Sequence, residues 1–159
     1  MKIFLTALLA TVHLTSSWAQ TAALSASPSS TAAPLRSGSF MDKLVAPSVA
    51  QARATYPEAK RRFLSGLPRG DRFLLVTRLS DARGVREQVF VNVQTIRDHA
   101  VSGTISSAII GVSGFRFGDA YTFNEAELID WTILHADGVE EGNYVGKFLE
   151  SYARDKGRR

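Results

Sequence analysis

Between residues 48 and 154 the apolar positions change their spacing repeatedly, and each change marks an expected element. After Ser48, the run Val49, Ala50, Ala52 and Ala54 opens a short helix, and Pro57 either kinks it or opens a second turn with Thr55 as its cap. Glu58 and Arg62 lie one turn apart, within reach of an ion pair, while Ala59, Phe63, Leu64 and Leu67 supply the stripe that packs the helix. The stretch Gly66-Leu67-Pro68-Arg69-Gly70 stops it. Phe73 to Leu79 is apolar and β-prone, as is the longer run Val85 to Ile96, and Asp81-Ala82-Arg83-Gly84 between them has the length and glycine of a hairpin turn. The two runs are therefore expected to pair antiparallel.

Shorter β segments follow: Gly103 to Ser106 with a continuation toward Ile110, then Phe115 to Phe117, which Gly118-Asp119 turns into Tyr121 to Phe123. Ile129 to His135 reads as a further strand ended by Asp137-Gly138. Tyr144, Val145, Phe148, Leu149 and Tyr152 recur at helical spacing, with Asn143 as cap and Lys156, Arg158 and Arg159 at the end where the helix dipole favours cations. The pattern predicts an α+β domain over 48–154, a curved antiparallel sheet of about five strands flanked by N-terminal and C-terminal helices, with a basic tail at 155–159.

Ahead of that domain the pattern is different. Met1 and Lys2 precede an apolar run from Ile3 to Leu14, followed by small and polar residues ending Ser17-Trp18-Ala19. This has the form of a secretory signal peptide, cleaved after Ala19 or, with Thr21 and Ala23 as the small pair, after Ala23. The run is too short for a hydrocarbon core that needs roughly 20 residues. Residues 20–47 are rich in Ala, Ser, Thr and Pro and read as a flexible tether without fixed structure. The expected location is a periplasm or the outside of the cell, with no transmembrane segment after cleavage.

Several short motifs resemble, in order, the YegJ-like bacterial family, a domain of unknown function: Arg86-Glu87-Gln88-Val89-Phe90-Val91, Gly103-Thr104-Ile105, Gly118-Asp119, Ile129-Asp130-Trp131 and Gly142-Asn143-Tyr144-Val145. The resemblance spans about Val49 to Tyr152 and implies a fold and an exported location rather than an activity. The chain departs from that pattern at Gln88 and Phe90, where His and Trp are common, and near Ser106 to Ala108, where an Asn-x-Pro is usual.

Composition narrows the chemistry. The 159-residue chain contains no Cys, which removes disulfides, thiolate metal sites, iron–sulfur clusters, a cysteine nucleophile and a lipoprotein anchor. With 45% hydrophobic residues it can build a core without such staples. No cofactor or metal motif is present: His99 and His135 lack ligand spacing, and Gly111-Val112-Ser113-Gly114 lacks the nucleophile elbow.

The candidate site residues come from position within the expected strands. Val85, Glu87, Val89, Val91 and Val93 share one face, so a carboxylate sits among valines. It is either a general acid/base or ligand anchor with a raised pKa, or a structural group near the strand's exposed end paired with an arginine. Arg72, Arg78, Trp131 and His135 are the donors in question. Trp131 is a core residue or a stacking platform, and Asp130, pointing the other way, is placed to accept backbone N–H groups. Lys60, Arg61, Arg62 and Arg69 belong to a basic cluster in a chain of net charge +4, which is either a solvated helix face or a contact for an anionic envelope surface. The reading is a binding or envelope-accessory module for a protein or envelope ligand, with no nucleic acid partner. Its competitor is a small hydrolase or transferase using Glu87 with Asp130 or His135.

Overall fold

The computed structural model describes residues 39–158, so the signal-like segment, both expected cleavage points, residues 20–38 of the tether and Arg159 lie outside the described residues. The elements run α1 (Ser39–Ser65), β1 (Arg72–Ser80), β2 (Arg86–Arg97), β3 (Ala100–Ile105), β4 (Ala120–Asn124), a 3-10 turn (Glu125–Glu127), β5 (Asp130–Leu134), β6 (Glu140–Gly142) and α2 (Tyr144–Gly157). The six strands form one antiparallel sheet in the order β4-β3-β2-β1-β5-β6. The architecture is α+β with helices flanking the sheet, as expected, and with one strand more.

Register places the core. Leu75 stands opposite Val91 and Trp131, Thr77 opposite Val89, Leu79 opposite Glu87, and Phe73 opposite Ile133. These side chains share one face with Val101 and Ile105 of β3 and Phe123 of β4. The C-terminal half of α1 fills that face with Ala52, Tyr56, Ala59 and Phe63, the rings of Tyr56 and Phe63 lying over Phe73. Phe73, Leu75, Leu79 and Ile133 are fully buried, each contributing about 1.5–3 kcal/mol through apolar area removed from water. A second cluster forms around Val76 and Ile129, where Val45 and Val49 of α1 meet Val145, Phe148 and Leu149 of α2.

Several boundaries differ from expectation for physical reasons. The first helix begins at Ser39 rather than Ser48, so residues 39–47 belong to the folded unit and not to the tether. Val45 is buried there, and Asp42 pairs with Arg78 at 2.9 Å. Pro47 and Pro57 both lie inside α1. The carbonyl of Ala52, next to the one that Pro57 leaves without a helical donor, accepts from Trp131 Nε1 and Thr55 Oγ1, which ties this stretch of α1 to β5. Leu64 is exposed, outside the packed stripe, and Glu58 pairs with Arg61 rather than Arg62.

Neither the continuation toward Ile110 nor a strand at Phe115–Phe117 forms. Glu140–Gly142, just ahead of the last helix, is an edge strand on β5. Helix α2 continues through Gly157, so the basic tail is mostly helical.

Candidate functional site

Strand β3 pairs with β2 only from Val91 onward, which leaves the first half of β2 without a strand on that side. The segment 106–119 takes the empty place. Ser106 N donates to Phe90 O at 2.7 Å and Ser107 Oγ accepts from Phe90 N at 2.8 Å. Its two ends are closed on each other by Ile105 N to Asp119 O at 2.9 Å and Gly118 N to Ile105 O at 2.8 Å. The segment is a closed irregular loop along a sheet edge, a class of loop that is frequently functional.

Glu87 is what holds it. The side chain is buried, as its place among valines implies, yet no arginine pairs with it. Its carboxylate accepts the backbone N–H groups of Ile110 at 2.9 Å, Gly111 at 2.8 Å and Val112 at 3.1 Å. Burial alone would raise its pKa, but three backbone donors outweigh that and bring it below the usual carboxylate value. A raised pKa, and with it a role as general acid at neutral pH, is therefore not what the surroundings of Glu87 provide.

Asp81 holds the next stretch, accepting Ser113 N at 3.2 Å and Ser113 Oγ at 3.0 Å. Its other partners are Arg83 and Val85 N, and chiefly the Arg83 guanidinium holds its carboxyl far below the usual range. Arg83 also donates to Gly111 O at 3.2 Å, which joins the β1–β2 turn to the loop. Asp119 accepts from Arg116 N at 2.8 Å.

Three carboxylates thus fix a loop that nevertheless leaves Ile110 71% and Phe117 70% exposed, while Val112 and Phe115 pack inward. Sequence reading took Ile110 and Phe117 for strand residues because their apolar alternation imitates one. Asp81, two residues before Arg83 and four before Val85, accepts their backbone N–H groups in the β1–β2 turn, a local signal that does not reveal its bonds to Ser113 in the loop.

Asp130 and Trp131 point to opposite faces. Asp130 is buried and accepts Val145 N at 2.7 Å and Trp131 N at 2.8 Å. It supplies the N-terminal cap of α2 from β5. Asn143, the expected cap, makes no side-chain capping bond; it sits at φ 54° and donates to Glu140 Oε2 instead. Burial raises the pKa of Asp130, and its backbone donors only partly offset this. Trp131 is core: it is buried, its Nε1 reaches Ala52 O at 3.1 Å and Thr55 Oγ1 at 3.0 Å, and Tyr144 meets its ring edge-on. A stacking platform for a ligand is not what it presents.

His135 bridges Asp71 through Nδ1 at 2.7 Å and Glu141 through Nε2 at 2.8 Å. Glu141 also takes both ends of the Arg62 guanidinium, which with His135 lowers its pKa to about 2. The bonds to Asp71 and then Glu141 raise the imidazole pKa.

Glu87 does not meet the partners of the hydrolase reading. It stands opposite Leu79 and Asp130 opposite Val76, positions of opposite parity on β1, so the two carboxylates leave opposite faces of the sheet. His135 lies beyond the Leu134–Arg72 pair, seven residue steps along β1 from Leu79, or roughly 23 Å.

The basic cluster is largely neutralised. Lys60 pairs with Glu125 at 2.7 Å, Arg61 with Glu58 at 2.5 Å and Arg62 with Glu141 at 2.6 Å; Arg69 is exposed and has no ion pair among the described residues. Glu125 further accepts from Tyr56 Oη at 2.6 Å and lies 3.1 Å from His99 Nδ1.

One cavity of about 400 Å³ opens between the first half of α1 and the face opposite the main core, with Arg53, Arg78, Arg86 and Gln88 around Val49 and Ile129. Arg78 is committed to Asp42 and Arg53 to the carbonyl of Leu128. No helix among the described residues is long and apolar enough to cross a membrane. Neither a protein-family model nor a curated protein nor a solved structure matches the chain.

Proposed function

We propose that this protein is a binding module of the cell envelope, exported by its N-terminal segment, and that the loop 106–119 is its recognition surface. One observation carries the reading: the hydrogen-bonded carboxylates of Glu87, Asp81 and Asp119 hold the loop in one shape in which Ile110 and Phe117 face water. Covering a sheet edge requires the backbone of such a loop but not two large apolar side chains turned outward. A preformed loop also binds without first losing conformational freedom, which makes a small contact sufficient.

Export is supported by the Met1–Ala19 pattern and by the resemblance to the YegJ-like family. The separation of Glu87 from Asp130 and His135 leaves the hydrolase reading without a joint site.

The test is in-cell cross-linking of the tagged full-length chain with fractionation and mass spectrometry, beside an Ile110→Ser/Phe117→Ser variant. The reading expects association with an envelope component, protein or lipid, that the variant loses while keeping its thermal midpoint. The same captured material from both chains would refute it.

A further inference from the structure

The loop's chemistry separates a protein partner from a membrane. A stable protein interface buries about 800 Å² on each side, with a closely packed apolar centre. Here the outward apolar groups are few, Ile110 and Phe117 with Val85 partly exposed at the adjoining turn, and they are carried on a narrow closed loop rather than across a flat face.

The charges beside them are of one sign. Arg116 is exposed, and the Arg83 side chain is 63% exposed even while bonded to Asp81. The nearby carboxylates are turned inward: Glu87 is buried on backbone N–H groups, the Asp81 side chain is 3% exposed, and Asp119 caps its own turn. An aliphatic and an aromatic side chain flanked by guanidinium groups, with the acids spent internally, match an anionic lipid surface. The apolar groups enter the headgroup boundary and the cations stay among the phosphates.

We propose that the loop 106–119 docks this protein on an anionic phospholipid bilayer, with Ile110 and Phe117 inserted and Arg83 and Arg116 at the phosphate level. This rests on the reading of the loop as the recognition surface. The contact is shallow and reversible, because two side chains and two cations supply far less than a membrane-spanning segment.

The absence of cysteine from the sequence makes a local test possible. Ala108→Cys in the loop and Ala153→Cys on α2, both exposed, each give one attachment point for an environment-sensitive fluorophore on the full-length chain. Vesicles of phosphatidylglycerol with phosphatidylcholine are the probe, and vesicles of phosphatidylcholine alone are the control.

The proposal expects a blue-shifted, brighter signal at position 108 with the anionic vesicles only, and no change at 153. Adding Ile110→Ser and Phe117→Ser should weaken the apparent affinity about a hundredfold, the loss expected for two apolar side chains no longer removed from water. Raising the salt should also weaken it, since surface charge is screened. A response of equal size at both positions, or one that survives the double substitution, overturns the proposal. So does silence at 108 with both vesicle types. In that last case a photo-cross-linker at the same cysteine decides the underlying reading: a specific protein adduct in cells keeps the loop as a recognition surface for a protein, and no adduct removes that as well.

Discussion

Glu87→Gln keeps the shape of the side chain but replaces one acceptor oxygen by a donor facing backbone N–H groups. The expected cost is about 1–3 kcal/mol, that of leaving buried donors unpaired, read from denaturant unfolding. Amide exchange at Ile110 to Val112 should accelerate most. The pKa of Glu87 is lowered on folding, so its contribution is present above the unfolded value, about 4.3, and fades as pH falls through the lower folded value. The variant should therefore lose less stability on acidification than the parent.

His135 runs the other way. Its pKa is raised by Asp71 and Glu141, with Arg62 facing the same group through Glu141, so its contribution is full below about 6.5 and is lost as pH rises through the raised value. His135→Gln should flatten the fall in melting temperature as pH rises from about 6.5. The sequence disclosed that Glu87 was an oddity and that Asp130 could accept backbone N–H groups. It could not disclose the partners of Glu87, because backbone donors carry no residue identity and these lie 23 to 25 positions away.

At the level of elements, the two long strands and their hairpin were legible, since a run of alternating valines admits little else. The edge strand β6 was not, for Glu140–Gly142 carries no apolar period and is a strand only because β5 offers it partners. Its last residue is tightly constrained. Gly142 has φ 75°, and a Cβ there would meet the Trp131 carbonyl and lie 2.7 Å from Trp131 Cε3. Gly142→Ala should cost about 3 kcal/mol or more, combining left-handed strain with overpacking, and should lower the thermal midpoint and loosen the start of α2.

The loop 106–119 misled for the opposite reason. Its residues have strand-like composition, but Ile110, Gly111 and Val112 all turn their N–H groups to one carboxylate, which no ladder permits.

Across the whole molecule the class of fold followed from the order of periods, while the start of the folded unit did not. Residues 39–47 read as a continuation of the Ala/Ser/Thr/Pro-rich stretch that precedes them, although Phe40, Met41, Leu44 and Val45 are apolar; Val45 enters the second core and Asp42 reaches Arg78. Only the packed molecule reveals that these further turns of helix are needed there. Glu125 makes a similar long connection, tying Tyr56 and Lys60 of α1 to the end of β4 across 69 and 65 residues.

That tie bears on the order in which the chain assembles. The strands β1 to β4 follow one another and pair with sequence neighbours, so they can form early, whereas the bonds of Glu125 require α1 to have docked. Contacts made after the rate-limiting step govern escape from the native state more than arrival at it. Glu125→Gln should accordingly speed unfolding in stopped-flow measurements while leaving refolding nearly unchanged, making this carboxylate a latch on the lifetime of the folded protein.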